Sequence, residues 1–419
     1  MFNQGGLSLE QAPPISVVLR FFITASAFGV LLGLYLMGDF KNSVVIHILA
    51  VGIMASFMLG ALFQMLPVIA GVAIKAPIKK ALVAHILLVI GLITQILAFN
   101  NYSLFTVHYS LISAILLGSG LLHASTLMLK EIIKIKDHSS SSKGMLFALA
   151  SFLIAIVLGI YLLLTLGGYN SGTLFMEIKE AHYSFAIFGW ITLLIISISF
   201  QVIEMFYITP KYPKWISKYL TVAIFTLLIL KTIALLASLS SNIIDIFLAT
   251  LFIIYAGVTI HRLYKRKRPT SDATVWFWRL GMGLLTVSMS IVLIDNITTL
   301  HENMKFISQV TFIGFALSIV FAMVYKIVPF LVWFHLSNQG YMEAPMMFDV
   351  IHPKKAKIHF RIHIAMLITF VSSTLLESKL LFLLASLLVT ISFGWLLYHL
   401  IFAVKKYNYT QKHTKKIEW

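Results

Sequence analysis

Long apolar segments alternate along the chain with short polar ones. Most of the apolar segments exceed the roughly 18 residues that indicate a membrane-crossing helix. The connecting segments are rich in Lys, Arg, Pro and Ser. The pattern predicts an all-α polytopic membrane protein with twelve transmembrane helices. Their approximate ranges are 15–37, 44–74, 79–99, 103–129, 144–166, 179–208, 215–238, 242–262, 274–296, 305–337, 359–376 and 379–403.

Lys and Arg are divided unevenly between two sets of alternate connecting segments. One set, together with the two terminal segments, carries most of the 32 basic residues. The other set contains only Lys41, Lys179, Lys305 and Lys379. Because cytoplasmic loops of membrane proteins carry the excess of basic residues, we expect both termini in the cytoplasm, with residues 404–419 as a basic cytoplasmic tail.

Composition narrows the class of protein further. The chain is 59% hydrophobic and 11% charged, which excludes a soluble globular enzyme, a disordered chain and a nucleic-acid-binding domain. The net charge of +17 lies in the connecting segments, so the expected partner is a lipid bilayer and not nucleic acid. The absence of cysteine excludes disulfides, iron–sulfur clusters and thiolate metal sites. We expect a multi-pass protein of a bacterial inner membrane, without a cleavable signal peptide at the first residues.

Three of the predicted spans share a common pattern. When Gly52, Gly189 and Gly314 of spans 2, 6 and 10 are aligned, a small residue follows eight positions later and an aromatic residue eleven positions later. The next position is polar in all three, and the following span begins with Pro and Lys. The alternative to a true repeat is chance matching among apolar segments. The pattern predicts one transmembrane domain over residues 1–419 built from three four-helix repeats, at about 15–143, 144–268 and 269–403.

Polar residues inside the spans form a second set of candidates. They are Gln64, Gln201 and Lys326 at the aligned polar position, with Glu204 three residues after Gln201. Ionisable residues within a membrane indicate function by default, and these four could line a path for protons or a small solute. The alternative is that the charged side chains extend to the membrane interface.

Two segments, Phe63-Gln64-Met65-Leu66-Pro67 and Tyr325-Lys326-Ile327-Val328-Pro329-Phe330, resemble an oxidase-related membrane family. Twelve spans in three pseudo-threefold-related arcs of four also resemble subunit I of the haem-copper oxidase superfamily and its NnrS-like relatives. The resemblance implies that the second, sixth and tenth helices carry haem and copper ligands near the outer face. It further implies haem b, copper or both as cofactors, although a relative with no cofactor is an alternative.

Four histidines fall near the predicted outer face. His47 and His182 lie five and seven residues before their aligned glycines and are the first candidates for both haem and metal ligands. His108 is a further candidate for cofactor binding and His301 for metal binding. Histidines that only bond lipid headgroups or nearby backbone are the alternative for all four.

The departures from the oxidase pattern affect the expected activity. Span 7 contains no histidine, span 10 contains no His-x-His, and Gln309 stands at the place that matches His47. His182 is followed by Tyr183-Ser184 in place of the usual Pro-Glu. We therefore expect no oxygen reduction by the family mechanism, but a redox role or a role in nitric-oxide or metal stress. The expected partner is an electron-transfer protein or another membrane subunit. The alternatives are a small-solute or proton transporter or channel, and a structural or assembly relative.

Two further features remain open in the sequence. His359 and His363 lie four residues apart, which would allow them to share a metal ion, but the neighbouring Lys357 and Arg361 favour a headgroup-facing helix end. Lys231 lies within span 7 with no evident partner.

Overall fold

The computed structural model describes residues 13–100, 105–267 and 272–416, and these ranges are mostly helical, without a β-strand. The prediction of twelve helices long and apolar enough to cross a membrane is confirmed within these ranges. An even number of crossings places both ends of the chain on one side of the bundle, here called the terminal side. The helices α1 to α12 are Ile15–Leu36, Asn42–Ala70, Pro77–Asn100, Phe105–Ile132, Ser140–Leu166, Phe175–Tyr207, Lys214–Leu236, Asn242–Tyr264, Ala273–Ile297, Glu302–Asn338, Pro353–Leu375 and Lys379–His413.

Two helix ends differ from the prediction by more than four residues. Helix α11 begins at Pro353, six residues early, because proline suits a first helical turn and the His352 side chain accepts a hydrogen bond from the backbone N–H of Lys354. Helix α12 continues to His413 instead of ending at residue 403. The first ten residues of the predicted tail 404–419 therefore extend the last helix.

Helices α2 and α6 contain π-helical stretches at related places. The stretches cover Ile48–Ala55 and Phe185–Thr192, and each includes the aligned glycine. Helix α10, described over its whole length, is α-helical throughout. A π-helical turn contains an extra residue and redirects the side chains around it, and such turns are frequent at functional sites.

The three aligned glycines have equivalent neighbours. A Cβ atom built on each would lie 2.6 to 3.2 Å from a side chain of the preceding helix and from a leucine of the following helix. These contacts favour a residue without a side chain, since real Cβ atoms are rarely so close to another atom. The pairs of neighbours are Phe28 and Leu92 for Gly52, Ser151 and Leu228 for Gly189, and Leu284 and Leu367 for Gly314.

The second helices of the three predicted repeats meet inside the bundle. Helices α2, α6 and α10 line one apolar cavity, together with Phe22 of α1 and Trp278 of α9. Helices α1 and α12, the first and the last of the bundle, pack along each other. These contacts are the ones that repeated units would make, and the division into three arcs of four remains a prediction.

Candidate functional site

Two of the four candidate histidines lie side by side. His47 precedes the π-helical stretch of α2 directly, and His182 lies three residues before the stretch of α6. Their ring centres are 6.4 Å apart, and their ring planes are within 14° of parallel. The two residues lie on the side of the bundle opposite the terminal side, at the start of each helix.

The His47 ring has one nitrogen engaged and one free. Nδ1 lies 2.7 Å from the backbone carbonyl oxygen of Ser43, one turn earlier in α2. Since a carbonyl can only accept a hydrogen bond, Nδ1 carries the proton. In a neutral ring Nε2 then has a lone pair, and no described residue donates to it. The Phe99 ring of α3 packs against the imidazole at 4.9 Å between ring centres.

The His182 ring is held in the same tautomer by a different helix. Its Nδ1 donates to the backbone carbonyl of Ala155 in α5 at 2.8 Å. A Cβ atom on Gly159 would lie 2.9 Å from the imidazole Cε1, so the glycine leaves the space that the ring occupies. Nε2 of His182 likewise has no hydrogen-bond partner among the described residues. Both rings thus present a free lone pair at Nε2.

The separation of the rings matches two ligands on opposite sides of one metal ion. Metal–imidazole bonds are about 2.0 Å long, and a ring centre lies about 1.1 Å from its ligand nitrogen, so two rings opposite each other have centres about 6 Å apart. Metal-bound histidines usually donate their other N–H to a carbonyl or carboxylate, as both rings do here. The two rings therefore meet two requirements for sharing one metal ion, namely a free Nε2 on each ring and a matching distance between the ring centres.

The other two candidate histidines do not join this pair. His108 is exposed on α4, and His301 is exposed at the residue before α10. Neither makes a ring contact or a side-chain hydrogen bond with a described residue. Within the described part of the chain, no three His, Asp or Glu side chains are close enough together to hold a metal ion.

The four residues of the predicted polar path are not hydrogen-bonded to one another in the described ranges. They are Gln64 on α2, Gln201 and Glu204 on α6, and Lys326 on α10. Glu204 accepts a hydrogen bond from the backbone N–H of Tyr212 at 3.3 Å. The Gln64 amide is buried, and no described residue bonds to either of its polar atoms.

Lys326 is ion-paired with Asp272 instead of Glu204. Its Nζ lies 2.5 Å from a carboxylate oxygen of Asp272, the residue that precedes α9. The same carboxylate accepts from the backbone N–H groups of Thr274 and Val275 and so caps the helix. Burial by itself would raise the pKa of Asp272, but the Lys326 ammonium and the helix-capping hydrogen bonds outweigh it and hold that pKa below its usual range.

Lys231 has two carboxylate partners that the sequence analysis missed. Its Nζ lies 2.7 Å from Asp245 of α8 and 3.0 Å from Glu180 of α6, and its side chain is only 4% exposed. The Ser241 hydroxyl donates to the second oxygen of Asp245 at 3.0 Å. The short turn between α7 and α8 places Lys231 and Asp245 at similar depths, which was an available signal. The ion cluster joins α6, α7 and α8.

His359 and His363 do not face lipid headgroups. Both are fully buried, and they point toward α10 and α12. Arg361 lies between them in sequence and is exposed, because a residue two positions away lies on nearly the opposite face of a helix. The basic residues nearby therefore carried no information about the histidines.

Comparison with known proteins does not place the chain in a family. No protein-family profile matches it, and no curated protein is significantly similar to it.

Proposed function

We propose that the protein is a redox protein of a bacterial inner membrane that holds one metal centre between His47 and His182. The observation that carries the proposal is the pair of nearly parallel imidazoles with centres 6.4 Å apart. Haem iron is the first candidate for the metal, and the two histidines would hold it. This assignment agrees with the resemblance to the haem-copper oxidase superfamily, but only one pair of histidines replaces the larger ligand set of that superfamily.

Hydrogen bonds within the protein fix the tautomer and the orientation of both rings in the absence of a metal. The Ser43 and Ala155 carbonyls fix the tautomer in which Nε2 is the free nitrogen. They also fix ring orientation, so little conformational freedom is lost on binding. Because Ala155 belongs to α5, the His182 ring is fixed by two helices, whereas His47 relies on its own helix.

Haem is favoured over a bare copper ion by the exposure of the rings. Both His47 and His182 are half-buried, so each residue stays partly accessible to a group as large as a porphyrin. A bound haem would supply one-electron exchange. A haem held by both His47 and His182 would serve electron transfer and not oxygen or nitric-oxide reduction.

The expected orientation determines where electrons would enter or leave. If both termini are cytoplasmic, the His47–His182 pair lies near the outer face of the membrane. An electron-transfer partner on that face, or another membrane subunit packed beside α2 and α6, would then reach the centre. The positive charge on the terminal side supports this orientation.

The test is a reduced-minus-oxidised visible spectrum of the detergent-purified protein, with iron and copper analysis. We expect one haem per chain, and we expect His47→Ala and His182→Ala each to abolish its absorption bands. His108→Ala and His301→Ala are matched controls and should leave the bands unchanged. Copper bound without haem, and lost in the same two variants, would assign the pair to copper. Bands that survive in either variant, or protein that binds neither metal, would refute the proposal.

A further inference from the structure

A buried cluster of histidines and hydroxyl groups lies within α10, α11 and α12, away from the His47–His182 pair. His359 and His363 are completely inaccessible to solvent. Both rings pack against the same two phenylalanines, Phe277 of α9 and Phe321 of α10, with ring centres 4.5 to 5.9 Å apart. The two imidazoles follow each other by about one helical turn, or about 6 Å along α11.

His359 connects hydroxyl groups on two other helices. Its Nδ1 lies 3.0 Å from the Tyr325 hydroxyl of α10, and its Nε2 lies 2.8 Å from the Ser392 hydroxyl of α12. A hydroxyl can donate and accept, and a neutral imidazole donates from one nitrogen and accepts at the other. A proton can therefore enter at one nitrogen of His359 as another leaves from the opposite nitrogen.

His363 offers an unused proton acceptor deeper in the membrane. The Ser318 hydroxyl donates to the Gly314 carbonyl at 2.6 Å, so it can only accept from the His363 ring, whose Nε2 lies 2.9 Å away. Nε2 thus carries the proton in the neutral ring. Nδ1 has a lone pair, is buried, and has no hydrogen-bond partner among the described residues. A buried polar atom without a partner is costly and calls for an explanation.

Hydroxyl groups continue along the same face of α10. Thr311, Ser318 and Tyr325 recur at intervals of seven residues and therefore lie on one side of the helix. Near the opposite side of the membrane, the Ser288 hydroxyl of α9 donates to the Ser308 carbonyl at 2.8 Å. The buried polar groups thus extend along α10 from one half of the membrane into the other, with the histidines in between.

Packing of the fold does not require these polar groups. Leu92 of α3, Leu228 of α7 and Leu367 of α11 contact the three aligned glycines and therefore mark equivalent places on these helices. His363 and His359 lie four and eight residues before Leu367. The same places before Leu92 and Leu228 hold only buried apolar side chains, namely Leu88, Ala84, Ile224 and Leu220. An apolar pair fills this space in the other two predicted repeats, so a histidine pair indicates a chemical role.

We propose that His359 and His363 carry protons through the third repeat. As a proton from the terminal side binds the Tyr325 oxygen, the Tyr325 O–H proton passes to Nδ1 of His359 and the Nε2–H proton of His359 passes to the Ser392 oxygen. Ser392 releases its own O–H proton at the same time, so every group gains one proton and loses one. Each transfer breaks one O–H or N–H bond and forms another. The proton released by Ser392 then binds Nδ1 of His363 and makes that ring an imidazolium cation, and loss of one proton to a water molecule restores the neutral ring. Groups not in direct contact exchange protons through ring rotation or transient water.

Proton flux into proteoliposomes tests the proposal. A pH-sensitive dye inside the vesicles follows an imposed pH difference, with the membrane potential clamped by potassium and valinomycin. We expect the wild-type protein to conduct protons, and His363→Phe to lower the flux by about tenfold or more. Tyr325→Phe removes a single hydroxyl from the path and should also lower it. The matched control is His85→Phe, which changes a half-buried histidine bonded to Thr24 at 2.7 Å outside the cluster.

Two further measurements keep the proposal open to refutation. Nitrogen-15 magnetic resonance of histidine-labelled protein should show His363 protonated at Nε2 and bare at Nδ1, whether or not the Phe variant folds. Protein prepared without haem or copper should conduct protons as fast as metal-loaded protein, which separates this path from the proposed metal centre. Wild-type flux no faster than that of protein-free vesicles, His363→Phe flux equal to that of the wild type, or a proton on Nδ1 of His363 would each overturn the proposal.

Discussion

Replacement of Lys231 by methionine tests the buried ion cluster of α6, α7 and α8. The substitution keeps the length and apolar stem of the side chain but removes the charge that neutralises Asp245 and Glu180. Removal of one partner from a buried ion pair costs about 3–5 kcal/mol. The two carboxylates are 18% and 32% exposed and can recover part of their hydration, so we expect a loss near the lower end, about 3 kcal/mol.

The assay is reversible unfolding in mixed detergent micelles as the fraction of SDS increases, followed by circular dichroism. Addition of Asp245→Asn to Lys231→Met should restore part of the loss, because it removes an uncompensated buried carboxylate. The control is Lys305→Met, which disrupts an ion pair with the 87% exposed side chain of Glu302 and should leave stability unchanged. Wild-type stability of Lys231→Met would refute the conclusion that the cluster holds the three helices together.

The remaining predictions concern close packing and pH. Gly91→Ala should destabilise the protein in the same assay, because the added Cβ would collide with the backbone nitrogen of Leu117. Gly257→Ala has open space around the added Cβ and should stabilise the protein by up to about 1 kcal/mol. Equal effects would contradict this packing. Asp272 stabilises the folded state only when ionised, because its pKa is lowered on folding. The melting temperature of the wild type should therefore fall more steeply below about pH 4 than the melting temperature of Asp272→Asn. Parallel curves of melting temperature against pH would contradict this role of Asp272.

The twelve spans were predictable from the sequence because each membrane helix satisfies its own backbone hydrogen bonds and so carries its own signal. The extension of α12 to His413 was not, because it depends on contacts from a distant segment. Gln339, beyond the end of α10, donates to the Tyr407 hydroxyl at 2.9 Å. Gln411, one turn after Tyr407, donates to the Gln339 side-chain oxygen at 2.9 Å. Hydropathy contains no information about such pairs.

The depth of the candidate site in the bundle was predictable from the sequence, but the direction of its side chains was not. The aligned glycines gave His47 and His182 similar depths, but depth does not determine which way a side chain points around its helix. The same limit explains why the ion pair of Lys326 with Asp272, which lies in a connecting segment, was not predicted. It also explains the misinterpretation of His359 and His363, since charged neighbours in sequence occupy other faces of the helix.

The most direct test of the metal centre is an electron cryo-microscopy structure of the purified protein in lipid nanodiscs. The account predicts density for a haem, or for a single metal ion, bonded to Nε2 of both His47 and His182 at about 2.0 Å from each. It also predicts that Nδ1 of each ring still donates to Ser43 or Ala155. The result that would contradict the account is a map with no metal density between the two rings, in which Nε2 of each imidazole bonds to the other ring, to lipid or to water.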